Sequence, residues 1–408
     1  MSKGRHTAAF VGFSQSRIFR GPEVPLGDLA AEASRAAITD AGLALDQIDG
    51  VVCTPDAPFS MASSADGLEF VSTQFLVRSL GLEPRWTADV AGTIANSALA
   101  AIRAVESGRC RYALLFRALH NPGAGVYGHT EETEAGRIET PGLDSVQYLE
   151  QFRAPYGRYP PADAAALPWS RYQAKYKSGS REQMAALVLQ ARQNGLAYEG
   201  SYWAQYKPIE LSVEDYLSAR MVSRPVSIYD CDLPVQGAAA FIITTADRAR
   251  DLAQPAAYVH GVADGTPPRG RVTVDESWEE QFTDNRDIGR RLWADGGHSP
   301  DEVDLANLYD GFSFMTITWL EGLGLCGEGE AFDFIQDGRI SPTGQLPVNP
   351  SGGNLGTGRL HGVNHLMDGM LQVTDRSGQR QIPGAELAVV AVGMGWAAAA
   401  FLLGKDPA

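Results

Sequence analysis

The sequence predicts an α/β protein built from two similar halves. Apolar strand-like runs alternate with amphipathic stretches at helical spacing from the start of the chain. With 408 residues, the chain exceeds the size at which one hydrophobic core keeps growing. A weak internal repeat relates the segment beginning at residue 40, DAGLALDQIDGVVCTP, to the segment beginning at residue 295, DGGHSPDEVDLANLYDGF. Aligning Asp49 with Asp304 places Thr54 opposite Tyr309, so we expect both strand ends to face one crevice.

The N-terminal half is predicted to span residues 1–250. Its first elements are a strand in TAAFVGFSQS, a helix in LGDLAAEASRAAITDAGL and a strand in DQIDGVVCTP. A second group follows, with a strand near WTADVAGT, a glycine turn, the helix IANSALAAIRAVESG and the buried strand RYALLFRAL. The segment YDCDLPVQGAAAFIITTADRA predicts the strand that closes this half.

Residues from about 121 to 220 form a predicted insertion within the N-terminal half. They are rich in Tyr, Pro, Gly and Trp and contain the amphipathic helix SREQMAALVLQARQNGLAY. Insertions of this kind usually cover a site or build a dimer surface. The C-terminal half is predicted over residues 255–408. Its longest apolar run, LAVVAVGMGWAAAAFLL, contains two glycines and is too short to span a bilayer, so it predicts two buried strands joined by a glycine turn.

Composition excludes several functional classes. The net charge of -15 argues against a nucleic-acid surface, because phosphate binding needs clustered Lys and Arg. Cys53, Cys110, Cys231 and Cys326 are far apart in the sequence, which indicates neither a disulfide framework nor a zinc site. The N-terminus lacks the pattern of a signal peptide. A cytoplasmic protein that does not contact a membrane is therefore expected.

Several segments in order resemble thiolases of the sterol-carrier-protein type. They are NPSGG with its glycine-rich loop and helix, the preceding YDGFSFMTITWLEGLGLCGEGEAFDFI, and in the first half DLAAEASRAAITDAGL, SALAAIRAVESG and DCDLPVQGAAAFII. The resemblance covers nearly the whole chain outside the insertion. It implies a thiolase fold, with two similar halves in a five-layer α/β/α/β/α arrangement.

The resemblance also locates three catalytic positions, and the thiolase side chain is absent from each. Gly92 stands where a thiolase has its nucleophilic cysteine, so a covalent acyl-enzyme is not expected there. Tyr309 replaces the histidine of the His-Asp/Glu-x-Phe motif, and Arg359 replaces the histidine of the Gly-His-Pro motif. Claisen-type acyl transfer is therefore not expected, whereas stabilisation of a thioester enolate by backbone amides does not depend on a nucleophile.

Retro-aldol cleavage of a β-hydroxyacyl-CoA needs an enolate and an acid/base but no nucleophile. In this respect the sequence is similar to thiolase-like aldolases of steroid side-chain degradation, which have tyrosines at the thiolase histidine positions. The resemblance implies an aldolase that uses a coenzyme A thioester as substrate, has no bound cofactor and releases a ketone or aldehyde with acetyl- or propionyl-CoA. It places Gly92, Gly395, Asn349 and Gly353 at the oxyanion and substrate-binding positions.

The acid/base assignment has alternatives. Tyr309 acts as the acid/base with Arg359 as the neighbouring cation, or it is a structural tyrosine. His361 is a second candidate base because its unperturbed pKa suits the task. His361 and His365 have metal-ligand spacing without the carboxylate of an HExxH site, so no metal is expected. Asp310 orients Tyr309 or Arg359, or it belongs to an ordinary turn, and the Asn349-Pro pair has the same structural alternative.

The resemblance further implies a homodimer and a small acyl-CoA-binding partner of OB-fold and zinc-ribbon type. Two other functions fit the loss of all three thiolase side chains. One is a non-catalytic subunit that binds acyl-CoA or lipid, or acts as a scaffold. The other is an acyltransferase without a covalent intermediate. A Tyr309 phenol in a cleft near Arg359 favours the enzyme, and a phenol sealed in apolar packing favours the scaffold.

Overall fold

A computed structural model describes residues 6–21, 23–55, 65–120, 162–265 and 278–408. These residues form one mixed sheet of nine strands in the order β3-β2-β4-β7-β1-β8-β11-β10-β9, and a separate hairpin of β5 and β6. The strands are β1 (Ala8–Gln15), β2 (Gly50–Cys53), β3 (Trp86–Asp89), β4 (Ala113–Leu119), β5 (Met221–Ser223), β6 (Val226–Ser227), β7 (Gly237–Thr245), β8 (Ala257–Asp264), β9 (Leu305–Leu308), β10 (Leu387–Val392) and β11 (Ala399–Gly404).

The sheet contains the same arrangement twice. Strands β2, β4, β7 and β1 are adjacent in that order, and β9, β10, β11 and β8 repeat it with the same parallel and antiparallel pairings. Asp49, before β2, accepts hydrogen bonds from two backbone N–H groups at the start of β4 (2.7 and 2.9 Å). Asp304, before β9, does the same at the start of β10 (2.8 and 2.9 Å). The internal repeat therefore preserves a hydrogen-bonding role. The predicted end of the N-terminal half at residue 250 and the predicted start of the C-terminal half at residue 255 stay predictions.

Helices and strands alternate in five layers, and three hydrophobic cores hold these layers together. The middle core contains the central layer of helices. One core packs α1 and α2 on one face of the N-terminal strands. The middle core encloses α3 and α13 between strands of both halves. The third packs α9 and α10 on the outer face of the C-terminal strands. The helices are α1 (Leu26–Asp40), α2 (Thr73–Leu80), α3 (Ile94–Glu106), α4 (Asp163–Tyr176), α5 (Arg181–Leu196), α6 (Tyr202–Tyr206), α7 (Val213–Ser218), α8 (Ala246–Ala249), α9 (Trp278–Gly296), α10 (Ser313–Gly322), α11 (Ala331–Phe334), α12 (Gly353–Thr357) and α13 (Val363–Val373).

The predicted insertion is helical where the structure describes it. Residues 121–161 lie outside the described residues, whereas α4 and α5 pack against the outer core of the C-terminal half, including α10. The described part of the insertion thus lies within the predicted N-terminal half in sequence but packs on the core of the C-terminal half.

The apolar run of residues 387–403 forms the two predicted strands. β10 and β11 pair antiparallel across a turn in which Gly393 and Gly395 have φ values of 84° and 55°. Both strands are fully buried, as expected for an apolar run at the centre of a sheet covered on both faces. Across the described residues, none of the helices has the length and apolarity needed to cross a membrane.

Candidate active site

Tyr309 lies directly after β9, at one of the two strand ends that the repeat aligns. Its N–H donates to the carbonyl of Ala391 in β10 (2.9 Å), which fixes its backbone, and its half-buried ring packs against two of the cores. Burial raises the pKa of Tyr309 and the charge of Asp232 raises it further, whereas Arg359 and Arg117 lower it. The phenol is therefore protonated near neutral pH and lies within the field of several charged side chains.

Asp310 holds the glycine-rich loop rather than its neighbour Tyr309. Its Oδ1 accepts hydrogen bonds from the N–H of Asn354 (2.7 Å) and from Nε2 of His365 (2.9 Å), and its Oδ2 accepts one from the N–H of Leu355 (3.2 Å). A Cβ at Gly353 would overlap the Asp310 carboxylate, and the φ of Gly353 is +60°. Glycine is needed there because α12 begins directly on the carboxylate.

The side chain of Asn349 pairs with the backbone of the last residue of β9. Its Oδ1 accepts from the N–H of Leu308 (2.7 Å) and its Nδ2 donates to the carbonyl of the same residue (2.9 Å). The Asn349 carbonyl accepts from the side chain of Asn194 in the insertion (3.0 Å). Both polar atoms of the Asn349 side chain are thus engaged with backbone, which favours the structural alternative for this residue. It positions Leu308 and therefore Tyr309.

Arg359 enters the site on the second part of the same loop. Its N–H donates to the carbonyl of Leu233 (2.8 Å), which joins the loop to the segment before β7. Gly358 precedes it with a φ of +128°, where a Cβ would meet Val235. The guanidinium lies close enough to Tyr309 to lower the pKa of the phenol. The expected pairing of this cation with the tyrosine is thus supported by its electrostatic effect.

His361 receives a hydrogen bond that determines which of its nitrogens carries the proton. Nη2 of Arg117 lies 2.9 Å from Nδ1 of His361. Because a guanidinium only donates, Nδ1 accepts, and the ring proton is on Nε2. Arg117 is fully buried in β4 and also donates to the carbonyl of Thr54, directly after β2. Arg117 therefore links the end of β2 to the glycine-rich loop at His361, whereas the facing of the two strand ends at Thr54 and Tyr309 stays a prediction.

The two histidines of the loop have different partners. His365 is fully buried and bonds Asp310, whereas His361 bonds Arg117. In the part of the chain that the structure describes, no three His, Cys, Asp or Glu side chains are grouped as metal ligands.

The turn before α3 meets the turn between β10 and β11. Gly92 has a φ of +117°, and a Cβ there would overlap the side-chain oxygen of Asn96. The hydroxyl of Thr93 donates to the carbonyl of Ala397 (3.1 Å), which joins the two turns. A Cβ on Gly395 would meet no atom within 4 Å, so this glycine borders open space. The oxyanion role of Gly92 and Gly395 stays a prediction.

Comparisons with known proteins identify the family. The Thiolase C-terminal domain-like family matches residues 273–405. The chain is 30% identical over 381 residues to a 17-hydroxy-3-oxo-4-pregnene-20-carboxyl-CoA lyase of Mycobacterium tuberculosis, covering 92% of this chain and 93% of the relative. It is 30% identical over 382 residues to a steroid side-chain-cleaving aldolase of Thermomonospora curvata, covering 93% of each. A solved Ltp2-ChsH2(DUF35) aldolase superposes with a TM-score of 0.84 at 26% identity, covering 100% of both chains.

The chain belongs to the thiolase-like aldolases. The thiolase fold and the enzyme class expected from the sequence, a carbon-carbon lyase, are confirmed. A monomeric SCP2-thiolase like protein of Mycobacterium smegmatis shares the fold, with a TM-score of 0.67 at 21% identity over 98% of this chain and 78% of that protein.

Among the described residues of the aldolase, the turn before α3 has hydroxyls but no activated nucleophile. Thr54 donates to the carbonyl of Thr93 (2.9 Å), and its hydroxyl lies 2.6 Å from that of Ser97. The Thr93 hydroxyl is held by Asn96 and Ala397. These partners are hydroxyls, carbonyls and an amide, none of which serves as a general base.

Sequence reasoning missed two residues of the aldolase site, Arg117 and Asp232. A usable signal existed for Arg117, because a cation inside the apolar run ALLFRAL must be paired when that run is a buried strand. Asp232 lies in YDCDLP, which is ordinary turn sequence. Only the fold brings it to Tyr309, through a hydrogen bond from its N–H to the carbonyl of Gly311 (3.1 Å).

Proposed function

We propose that the protein cleaves a β-hydroxyacyl-CoA by a retro-aldol reaction at Tyr309. The observation that carries this proposal is a phenol whose pKa is raised by burial and lowered by both Arg359 and Arg117, in a site where the described residues offer no activated nucleophile. A base accepts the proton of the β-hydroxyl, a carbonyl forms at Cβ, and the Cα–Cβ bond breaks. The bonding electrons move to the thioester as an enolate. Protonation of Cα then gives the shortened acyl-CoA.

The protonation states support a defined division of roles. Burial raises the pKa of Tyr309, so it enters the reaction as a protonated phenol. We therefore assign Tyr309 as the acid that donates a proton to Cα. His361 carries its ring proton on Nε2, which suits a hydrogen-bond donor to substrate oxygen better than a base. Arg359 neutralises the enolate, since a guanidinium stays protonated.

We assign Asp232 as the base that accepts the proton of the β-hydroxyl. It is the carboxylate with the largest effect on the pKa of Tyr309, and it is almost fully buried beside the crevice. The proton acceptor would then serve the β-oxygen and the proton donor would serve Cα. Asp310 is less suited to this role, because its carboxylate already accepts three hydrogen bonds from the loop and from His365.

The relatives supply the expected substrate class and assembly. Their printed names describe steroid side-chain cleavage and an aldolase solved with a DUF35 protein, and we propose for this chain a bulky, steroid-like acyl group and a small partner of that type. Strand β3 forms one end of the sheet, and an edge strand of this kind supports the proposed homodimer. The four cysteines are free thiols, which supports the proposed cytoplasmic location.

The test is a turnover assay with a tertiary β-hydroxyacyl-CoA that carries a ring system. The shortened acyl-CoA is followed by mass spectrometry, with and without a DUF35-type partner. We expect Tyr309→Phe and Asp232→Asn each to lose about 10²- to 10⁴-fold in kcat. Tyr112→Phe, a partly buried tyrosine in the outer N-terminal core, is the matched control and should keep full activity.

The outcomes separate the candidate functions. Release of product that depends on Tyr309 supports the aldolase mechanism. Binding of the thioester without release under any condition would instead favour the carrier or scaffold. Transfer of the acyl group to an added acceptor would favour the non-covalent acyltransferase.

A further inference from the structure

A cavity of about 280 Å³ adjoins the proposed reaction centre through Asp232. Apolar side chains, including Leu233 and Leu355, line part of it. Three arginines and one carboxylate also line it: Arg20, Arg192, Arg220 and Asp232. This volume is at the lower end for a ligand pocket, so the cavity fits one small group and part of its carrier.

Arg192 is the residue that makes this cavity unusual. It projects from α5 and is 7% exposed. Its guanidinium stacks 3.5 Å from the centroid of the Trp203 ring, and Nη1 donates to the carbonyl of Ile209 (3.2 Å). Its Nε has no hydrogen-bond partner among the described residues, and none of their carboxylates forms an ion pair with it. Burial lowers the pKa of Arg192 to about 10, so it remains a cation at neutral pH.

A buried cation without a counter-ion destabilises a folded protein, because the charge has lost its hydration and gained no opposite charge. Arg20 and Arg220 have partners inside the protein, so the argument rests on Arg192 alone. The guanidinium is stacked on the indole, lines the cavity and keeps an unpartnered Nε, and a guanidinium held in this way is suited to a planar or tetrahedral oxyanion.

We infer that this cavity binds an anionic oxygen group of the substrate through Arg192. The group is a phosphate of coenzyme A or a carboxylate on the acyl chain, and both present the same chemistry to a guanidinium. The inference uses the proposed function only to identify the molecule that carries the anion.

The matched control is Arg181, at the start of the same helix. It also lies over an aromatic ring, 4.8 Å from the centroid of Tyr216, and donates to the carbonyls of Tyr216 and Leu217. It does not line the cavity. Arg181→Met therefore reports the structural contribution of a stacked arginine, and Arg192→Met reports that contribution together with any anion binding.

Binding is measured by calorimetry in the Tyr309→Phe background, so that turnover cannot intervene. The probes are coenzyme A, pantetheine, and the glutaryl and butyryl thioesters of N-acetylcysteamine. If coenzyme A phosphate is the ligand, Arg192→Met weakens coenzyme A binding about tenfold or more and leaves pantetheine unchanged. If an acyl carboxylate is the ligand, the same variant weakens glutaryl but not butyryl thioester binding.

Stability gives an independent readout. We expect Arg192→Met to melt at the same temperature as the parent or higher, because it removes an uncompensated buried charge and keeps the volume. Arg181→Met should melt lower. Arg192→Lys, which keeps the charge and loses the planar fork, covers the case in which the methionine variant does not fold, and it should also weaken binding. Equal probe affinities in the Arg192 and Arg181 variants would overturn the inference. If the parent protein releases no shortened acyl-CoA in the turnover assay while the probes still bind through Arg192, the proposed reaction is refuted and the inference about the cavity stands.

Discussion

Replacing Asp310 by asparagine tests whether this carboxylate holds the site together. Asparagine keeps the shape, but one terminal atom becomes a donor. At the Oδ2 position it would face the N–H of Leu355, and a buried unsatisfied donor costs about 1–3 kcal/mol. The bonds from Asn354 and His365 would become neutral, with a loss of about 1 kcal/mol each. The neutral asparagine is no longer a buried charge, and this offsets part of the cost. The expected loss in the free energy of unfolding is therefore about 2–4 kcal/mol.

The assay is urea unfolding at neutral pH followed by far-ultraviolet circular dichroism. Asp304→Asn is the control, because Asp304 also accepts two backbone hydrogen bonds beside β9 but is exposed. We expect the control to lose less than about 1 kcal/mol because water replaces the lost bond. If Asp310→Asn were as stable as the control, Asp310 would not anchor the loop, and the account of its role would be wrong.

Three further predictions concern pH, steric fit and the thiols. Hydrogen bonds to Glu106 and Asp295 raise the pKa of His6, so its contribution to stability is complete below the ordinary value of 6.5 and declines as pH rises through the folded-state pKa. The stability difference between wild type and His6→Gln should therefore shrink from about pH 6 to about pH 9 in urea titrations. Gly362→Ala should be destabilised more than Gly378→Ala in thermal melts, since both have positive φ but only the Cβ at Gly362 would overlap a β10 valine. Burial raises the pKa of all four thiols, so Ellman's reagent should modify the native protein far more slowly than the unfolded protein.

The fold could be predicted because its signals are local. The helix at Leu26–Asp40 carries its own periodicity, and the strand at Gly237–Thr245 is a continuous apolar run. The repeated acidic turn at Asp49 and Asp304 marks equivalent strands. The packing of the insertion on the C-terminal half could not be predicted, because it depends on complementary surfaces far apart in sequence. The contact of Asn194 with the carbonyl of Asn349 is one example.

The site could be predicted only in part. Motif positions predicted that Tyr309 and Arg359 act together, and in the structure Arg359 lowers the pKa of the phenol, while the roles of both residues stay predictions. The sequence could not predict the direction of the phenol's pKa shift, because that depends on burial and on Asp232. It also could not reveal that Arg117 donates a hydrogen bond to His361, since a hydrogen bond between residues 244 positions apart exists only in the folded chain.

The charges of the site argue against a carrier that has merely lost its catalytic residues. A carrier for an acyl chain needs an apolar cavity, and replacing buried charges by apolar residues is often neutral or stabilising. Yet Arg117 is fully buried, and both Arg117 and Arg359 lower the pKa of Tyr309. Cations in such places are useful where negative charge must be held away from water. An enolate develops that charge without any covalent bond to the protein. The absence of a thiol at Gly92 and the presence of buried guanidinium groups are therefore consistent with one chemistry, in which the intermediate is held by charge instead of by a bond.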